Sequence, residues 1–233
     1  MPIPASMRLE YPMKVTEAIR NRKSTRAFLD KPIPQKLVVE ILDCARWAPS
    51  GVNSQPWQVA VISGEPKRQL GEALAKCRID GIKANPDYQY YPSEIKEPYI
   101  TRKRACGHAL YKALGIQQNE IENRRKQWMK NYQGFGAPVM LLFFIDANLE
   151  KGSWVDMGMF IQNVMLAARG HGLETCPQAA LAEYPNVVRK RLNISKTKKL
   201  ICGMALGYAD YDDPSYQYRT DREPVKKFVQ WFG

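Results

Sequence analysis

Two short stretches of this chain carry residue types that could act on one ligand. In Arg22-Lys23-Ser24-Thr25-Arg26, the residues Arg22, Ser24 and Arg26 alternate. Alternate residues of an extended segment point the same way, so an extended loop would aim two guanidiniums and a hydroxyl together. Arginine forks match phosphate oxygens, and serine adds a neutral donor. Further on, Ala48-Pro49-Ser50-Gly51-Val52-Asn53-Ser54-Gln55-Pro56-Trp57 is a polar loop bounded by prolines. It offers amide, hydroxyl and backbone groups that suit a flat, polar heterocycle. Each stretch also has a purely structural reading. Basic loops are commonly just solvated, and Asn, Ser and Pro also serve helix-to-strand turns.

The surrounding elements must position these loops. Lys14 to Asn21 reads as a short helix after Pro12, and Ser24 to Pro34 as a loop. A helix begins near Gln35, with Leu37, Val38, Ile41, Leu42 and Ala45 at helical spacing, and it stops by Pro49. Gln58 to Ser63 reads as a strand, and its unbroken apolar run predicts cover on both faces. Pro66 opens a third helix through Cys77. Asn85 to Pro98 holds several prolines and tyrosines without helical period, which predicts a surface excursion over a site.

Helices are expected at Arg102 to Leu114, at Glu120 to Tyr132 and, after Pro185, at Asn186 to Leu192. Trp154 to Arg169 reads as a long buried helix, with Val155, Met159, Phe160, Val164, Met165 and Ala168 inward. Strands are expected at Ala137 to Asp146, Glu174 to Cys176 and Leu200 to Leu206. The tail carries Val225, Phe228, Val229, Trp231 and Phe232, which are costly to leave in water and predict docking on a surface. The reading is one α+β domain over residues 1–233. It is a small mixed sheet with helices on both faces and an inserted helical region at about 64–136.

Composition narrows the function. The chain has 233 residues, enough for one substantial core, and 45% are hydrophobic, as in an ordinary globular protein. Its longest apolar run is strand-sized, and Met1 to Ser6 lacks the pattern of a secretory signal. The expected compartment is the cytoplasm, with no membrane partner. Five scattered cysteines read as reduced thiols, with Cys44 and Cys202 as small core residues. The histidines, His108 and His171, stand in no ligand-spaced motif, so no metal site is expected. A net charge of +12 permits nucleic acid or phosphorylated small molecules as partners. The basic clusters Arg102-Lys103-Arg104, Arg124-Arg125-Lys126, Arg189-Lys190-Arg191 and Lys196 to Lys199 read as solvated faces, or as attractors for a nicotinamide dinucleotide. No nucleic-acid-binding motif accompanies them, so no nucleic-acid partner is expected.

Together the motifs resemble the nitroreductase family. Residues 22–26 resemble its phosphate-binding motif, and residues 48–57 its signature loop. Gly172 to Ala179 resembles the segment that passes the reactive edge of the flavin, and the stretches from Gly207 and Arg219 resemble its C-terminus. The segment Glu174 to Tyr184 is most similar to the nitrobenzene and nitrobenzoate reductase branch.

The resemblance implies an interlocked homodimer with two flavin mononucleotide (FMN) sites at the interface. Arg22, Ser24 and Arg222 would hold the phosphate, with Lys23 assisting. Arg219 would substitute where many relatives carry a lysine and this chain has Thr220. Arg26 would sit by the pyrimidine end of the ring. Pro49, Ser50, Gly51 and Asn53 would reach the flavin from the partner. Gln178 and Ala179 would bring backbone N–H groups to the hydride-accepting nitrogen, and Asn131 could match a ring-contacting asparagine of relatives.

The implied activity is two-electron transfer from NADH or NADPH to a small nitroaromatic or quinone-like acceptor by a ping-pong order. No side chain need act as a catalytic nucleophile or acid. Rival readings are a reductive dehalogenase or flavin-modifying enzyme of the same fold, a nucleic-acid-binding protein, and a non-catalytic flavin carrier.

Overall fold

The computed structural model describes residues 13–233. Pro12 and the Met1 to Ser6 stretch read above lie outside the described residues. Its elements are α1 (Val15–Asn21), α2 (Gln35–Ala45), β1 (Gln58–Ser63), α3 (Gly64–Ile79), α4 (Tyr99–Ala113) and α5 (Ile121–Met129). There follow β2 (Val139–Asp146), α6 (Lys151–Gly170), β3 (Glu174–Gln178), α7 (Pro185–Leu192), β4 (Lys198–Gly207) and the short α8 (Pro214–Gln217).

The four strands lie in the order β1-β2-β4-β3, and every neighbouring pair is antiparallel. The parallel component expected of a mixed sheet is confined to an isolated bridge, Ser24 to Thr175. The central strand β2 shows why a helix is needed on each face. Val139, Leu141, Phe143 and Ile145 point to one side, where α2 and α6 cover them. Met140, Leu142 and Phe144 point to the other, against Leu70 and Leu74 of α3, Leu181 and Val188. Period-two alternation on a strand buried on both faces leaves no polar position.

Pairing between β2 and β4 shifts at Phe143/Phe144, skipping Ile201. This bulge leaves the Ile201 carbonyl free for the Tyr88 hydroxyl, which donates to it at 2.7 Å. The polar excursion is thereby tied to the sheet. At Gly203 an added Cβ would lie 2.3 Å from Leu181 Cδ1. Glycine there lets the turn after β3, which carries Gln178 and Ala179, lie directly on the sheet.

Several expectations are corrected. β1 is an edge strand and not doubly covered: Val61 is 45% exposed. Val155 lies on the outer side of α6, 65% exposed, while Met157, Phe160, Val164, Met165 and Ala168 face inward. Cys44 is exposed, because the inward face of α2 runs through Val38, Ile41 and Ala45 and leaves it on the flank; Cys202 is buried as expected. Arg189 is not on a solvated face. It is buried and forms a bidentate pair with Asp87, at 2.6 and 3.0 Å. Its guanidinium also donates to Asn186 Oδ1 and to the Lys198 carbonyl. Asp87 in turn accepts from the Leu200 amide at 2.8 Å, which anchors the start of the excursion to β4.

Candidate functional site: a cationic pocket and an amide-lined ledge

Residues 24–29 are held as an extended strip between β3 and the segment after β4. Thr25 N–H donates to the Thr175 carbonyl, Leu29 N–H to Tyr208, and Asp210 N–H to Ala27, all at 2.9 to 3.1 Å. This extension produces the alternation read from the sequence. Thr25 is turned inward and is 1% exposed, while Ser24 and Arg26 open onto a small pocket with Arg22 and Lys23. The opposite wall comes from Tyr218, Arg219, Thr220 and Arg222, and Cys106 of α4 completes it.

Among the described residues, no carboxylate lines this pocket. The cations therefore act on one another. The Arg22 guanidinium is held below its ordinary value, first by burial and then by the charges of Arg222 and Arg219. Lys23 is lowered chiefly by burial, with Arg219 and Arg169 adding to the effect against the opposing pull of Glu174. The nearest acid, Glu174, is engaged elsewhere, in a buried ion pair with Arg169. Its carboxyl is pushed up by burial. A cluster of partly desolvated cations without a counterion is suited to an anion with several oxygens.

Aromatic and hydroxyl groups hold these cations in place. Lys23 Nζ donates to the Tyr216 carbonyl and lies 3.5 Å from the centre of the Tyr216 ring. Arg26 donates to the Tyr218 hydroxyl and, at 3.1 Å, to the Ser24 carbonyl. Arg222 donates to Thr220 Oγ1 at 2.9 Å. Thr220, which stands where a lysine was expected by resemblance, thus orients a neighbouring arginine, and Arg219 lines the same pocket. Sequence reasoning missed Tyr216 and Tyr218. Their positions within a polar tyrosine-rich tail were the available signal.

Gln178 ends β3, and Ala179 opens a 3-10 turn (Ala179–Ala182). The first N–H groups of such a turn have no partner within it. The Gln178 side chain donates to the Asn131 carbonyl at 2.8 Å and to Asn131 Oδ1 at 3.2 Å. Its own Oε1 is buried without a protein partner, an acceptor suited to a ligand N–H. The structure thus brings Asn131 beside Gln178, although α5 ends at Met129 and Asn131 lies in the 3-10 segment that follows.

The proline-bounded loop stands apart. Pro49, Gly51 and Asn53 are exposed, Ser50 is half-buried, and none of them lines the cationic pocket. The loop is nevertheless ordered by its own bonds. Ser50 Oγ accepts from Gln55 N–H at 3.0 Å, and the buried carboxylate of Asp156 accepts from Gly51 N–H at 3.2 Å. Trp57 stacks on Phe160 at 4.9 Å and anchors the loop's end to α6. Among the described residues, no group of three or more His, Cys, Asp or Glu side chains could hold a metal ion, and no helix is long and apolar enough to cross a membrane.

Comparison with known proteins accords with this geometry. The profile of the nitroreductase family matches residues 19–208. The 4-nitrobenzoate reductase of Pseudomonas putida is 38% identical over 215 residues, 92% of this chain and 94% of that protein. The nitrobenzene nitroreductase of Ectopseudomonas oleovorans is 36% identical over 216 residues, 92% of this chain and 95% of that protein. The crystal structure of the FMN and NADPH-dependent nitroreductase NfnB from sphigopyxis sp. strain HMH superposes with a TM-score of 0.92 at 37% identity, covering 95% of this chain and all of that one. The chain belongs to the nitroreductase family.

Proposed function

We propose that this protein is an FMN-dependent oxidoreductase that passes two electrons from NADH or NADPH to a small nitroaromatic or quinone-like acceptor. The observation that carries the reading is the pocket of Arg22, Lys23, Ser24, Arg219 and Arg222, which has no carboxylate among its described lining residues. Its donor set fits a phosphate monoester. Beyond it, Gln178 presents a buried, unpartnered acceptor that fits a ring N–H.

When bound, FMN supplies the two-electron redox chemistry between nicotinamide and acceptor. The chain supplies binding, alignment and electrostatics. Arg22, Ser24, Arg219 and Arg222 hold the phosphate with Lys23. Arg26, on the same strip, sets a positive charge that would stabilise a ring gaining negative charge. Gln178 and Ala179 align the edge of the ring through amide groups, with Asn131 fixing the orientation of Gln178. No side chain is required as nucleophile or acid.

The reading includes a homodimer. Pro49, Ser50, Gly51 and Asn53 sit on an ordered loop that does not line its own chain's phosphate pocket, which supports their serving the partner's site. The exposed apolar tail supports the same assembly: Phe228, Trp231 and Phe232 are 68%, 90% and 89% exposed. The single unit of residues 1–233, with its helical region at about 64–136, then forms one half of a two-site enzyme.

The test is the visible spectrum of the purified protein, recorded anaerobically. A flavin spectrum that bleaches with NADPH or NADH and returns with a nitroarene or quinone is expected. A protein that neither takes up FMN nor oxidises reduced nicotinamide would refute the proposal.

A further inference from the structure

Beside Gln178 and Ala179 lies a cavity of about 400 Å³, walled by Tyr88, Tyr90 and Tyr91 of the excursion and by Trp128. The tyrosine rings pack on one another, Tyr90 to Tyr91 at 4.7 Å and Tyr88 to Tyr90 at 6.1 Å. Among the described residues that line it, Glu183 is the single Asp, Glu, Lys or Arg. Its Oε2 accepts from the Tyr132 hydroxyl at 2.7 Å. Arg78 forms an ion pair with the same oxygen at 3.8 Å, and its guanidinium lies 4.6 Å from the centre of the Trp128 ring. Both contacts fall on one oxygen, the hydroxyl as a charge-assisted donor and the guanidinium at ion-pair distance, and neither falls on Oε1. Glu183 Oε1 is thus the carboxylate oxygen left to face a ligand in a cavity whose other described lining residues carry no acidic or basic side chain.

Its position follows from the turn that carries it. A 3-10 turn rises about 2 Å per residue, so Glu183 lies roughly 8 Å beyond Ala179. That is about the reach of a para-substituted benzene ring. An acceptor whose reducible group meets Gln178 and Ala179 therefore presents its para substituent to Glu183.

We propose that this cavity selects uncharged aromatic acceptors, and that Glu183 determines this specificity by rejecting acceptors with a carboxylate para to the reducible group. The inference rests on the function proposed above and names the substrate class of that site. The net charge of +12 pulls the other way, drawing anions toward the whole protein. The local carboxylate sets the preference because it acts at contact range, where solvent screens least.

The experiment compares kcat/KM for nitrobenzene, 4-nitrobenzamide and 4-nitrobenzoate with the FMN-loaded enzyme and NADPH. In parallel, calorimetry gives Kd for benzamide and benzoate on the oxidised enzyme. The amide has the shape of the acid without its charge. The amide should exceed the acid about tenfold in kcat/KM and in affinity, the scale of a partly screened like-charge contact. E183Q keeps an acceptor for the Tyr132 hydroxyl and should shrink both gaps to within about threefold, leaving nitrobenzene nearly unchanged. A carboxylated ligand that matches or beats its amide in the wild-type enzyme overturns the inference, whether or not the variant folds. So does a gap that E183Q leaves intact. If neither the three nitroarenes nor a quinone is reduced, the proposed function itself fails, and this inference falls with it.

Discussion

The cationic pocket and the proline-bounded loop are both polar, sequence-defined segments, yet the fold treats them differently. Residues 22–26 are zipped to β3 and face arginines of their own tail. Residues 49–53 are just as ordered, through Gln55, Asp156 and Trp57, but face outward. A loop that is fixed internally and exposed externally is organised for something outside its own chain. A pocket in which burial and neighbouring arginines lower Arg22 and Lys23 is organised for an anion inside it. The difference teaches that one chain offers two half-sites, and it can be tested from both sides.

The largest effect is expected at the tail. Truncation before Val225 removes Phe228, Trp231 and Phe232, whose burial on a partner would contribute roughly 1.5–3 kcal/mol each. Sedimentation velocity should show loss of the dimer, and a truncated chain that stays dimeric would refute docking of the tail on the partner. Next comes Arg22→Ala, which removes a charge-assisted phosphate contact worth about 1.5–3 kcal/mol. FMN affinity, followed by flavin fluorescence, should fall between about tenfold and a hundredfold. Unchanged affinity would count against the pocket.

A complementation test sharpens the comparison directly. Arg22→Ala and Asn53→Ala chains are each expected to bind FMN weakly as homodimers. If each site draws its two loops from different chains, co-refolded mixed dimers regain one intact site. If both loops serve the same site in cis, every site in a mixed dimer stays defective and no FMN binding returns.

The smallest effect concerns Lys23. Burial lowers its pKa in the folded protein below the ordinary 10.5. Between that lowered value and 10.5 the unfolded chain binds more protons, so the ligand-free protein gains stability as pH rises through this window. In K23M that rise should flatten, as read from denaturant midpoints across alkaline pH. An identical slope in wild type and variant would show that Lys23 is not destabilised in the empty pocket.

Much of this molecule was legible because it depends on local periodicity. The apolar run of β2, the helix opened by Pro185 and the alternation of Arg22, Ser24 and Arg26 each follow from one-dimensional spacing. The misses have a common cause. Arg189 sits in a basic run that suggested solvent, but a half-buried aspartate about a hundred residues earlier claims it. Cys44 lies one flank away from the inward face of α2. Asn131 could not be placed in the least distinctive part of the chain, and only its bond to Gln178 brings it to the ledge.

The sequence by itself determined which segments are helix, strand and polar loop, and which short motifs carry cations, amides and hydroxyls. These are properties of neighbouring residues, set by backbone sterics and the hydrophobic pattern. Tertiary structure alone decided that Tyr216 and Tyr218 brace the cations, that a bulge at Ile201 offers Tyr88 an acceptor, and that Glu183 is set among the tyrosines of an aromatic cavity. Those juxtapositions join residues far apart in the chain. Their energies come from burial and charge at contact range, which spacing along a sequence does not encode.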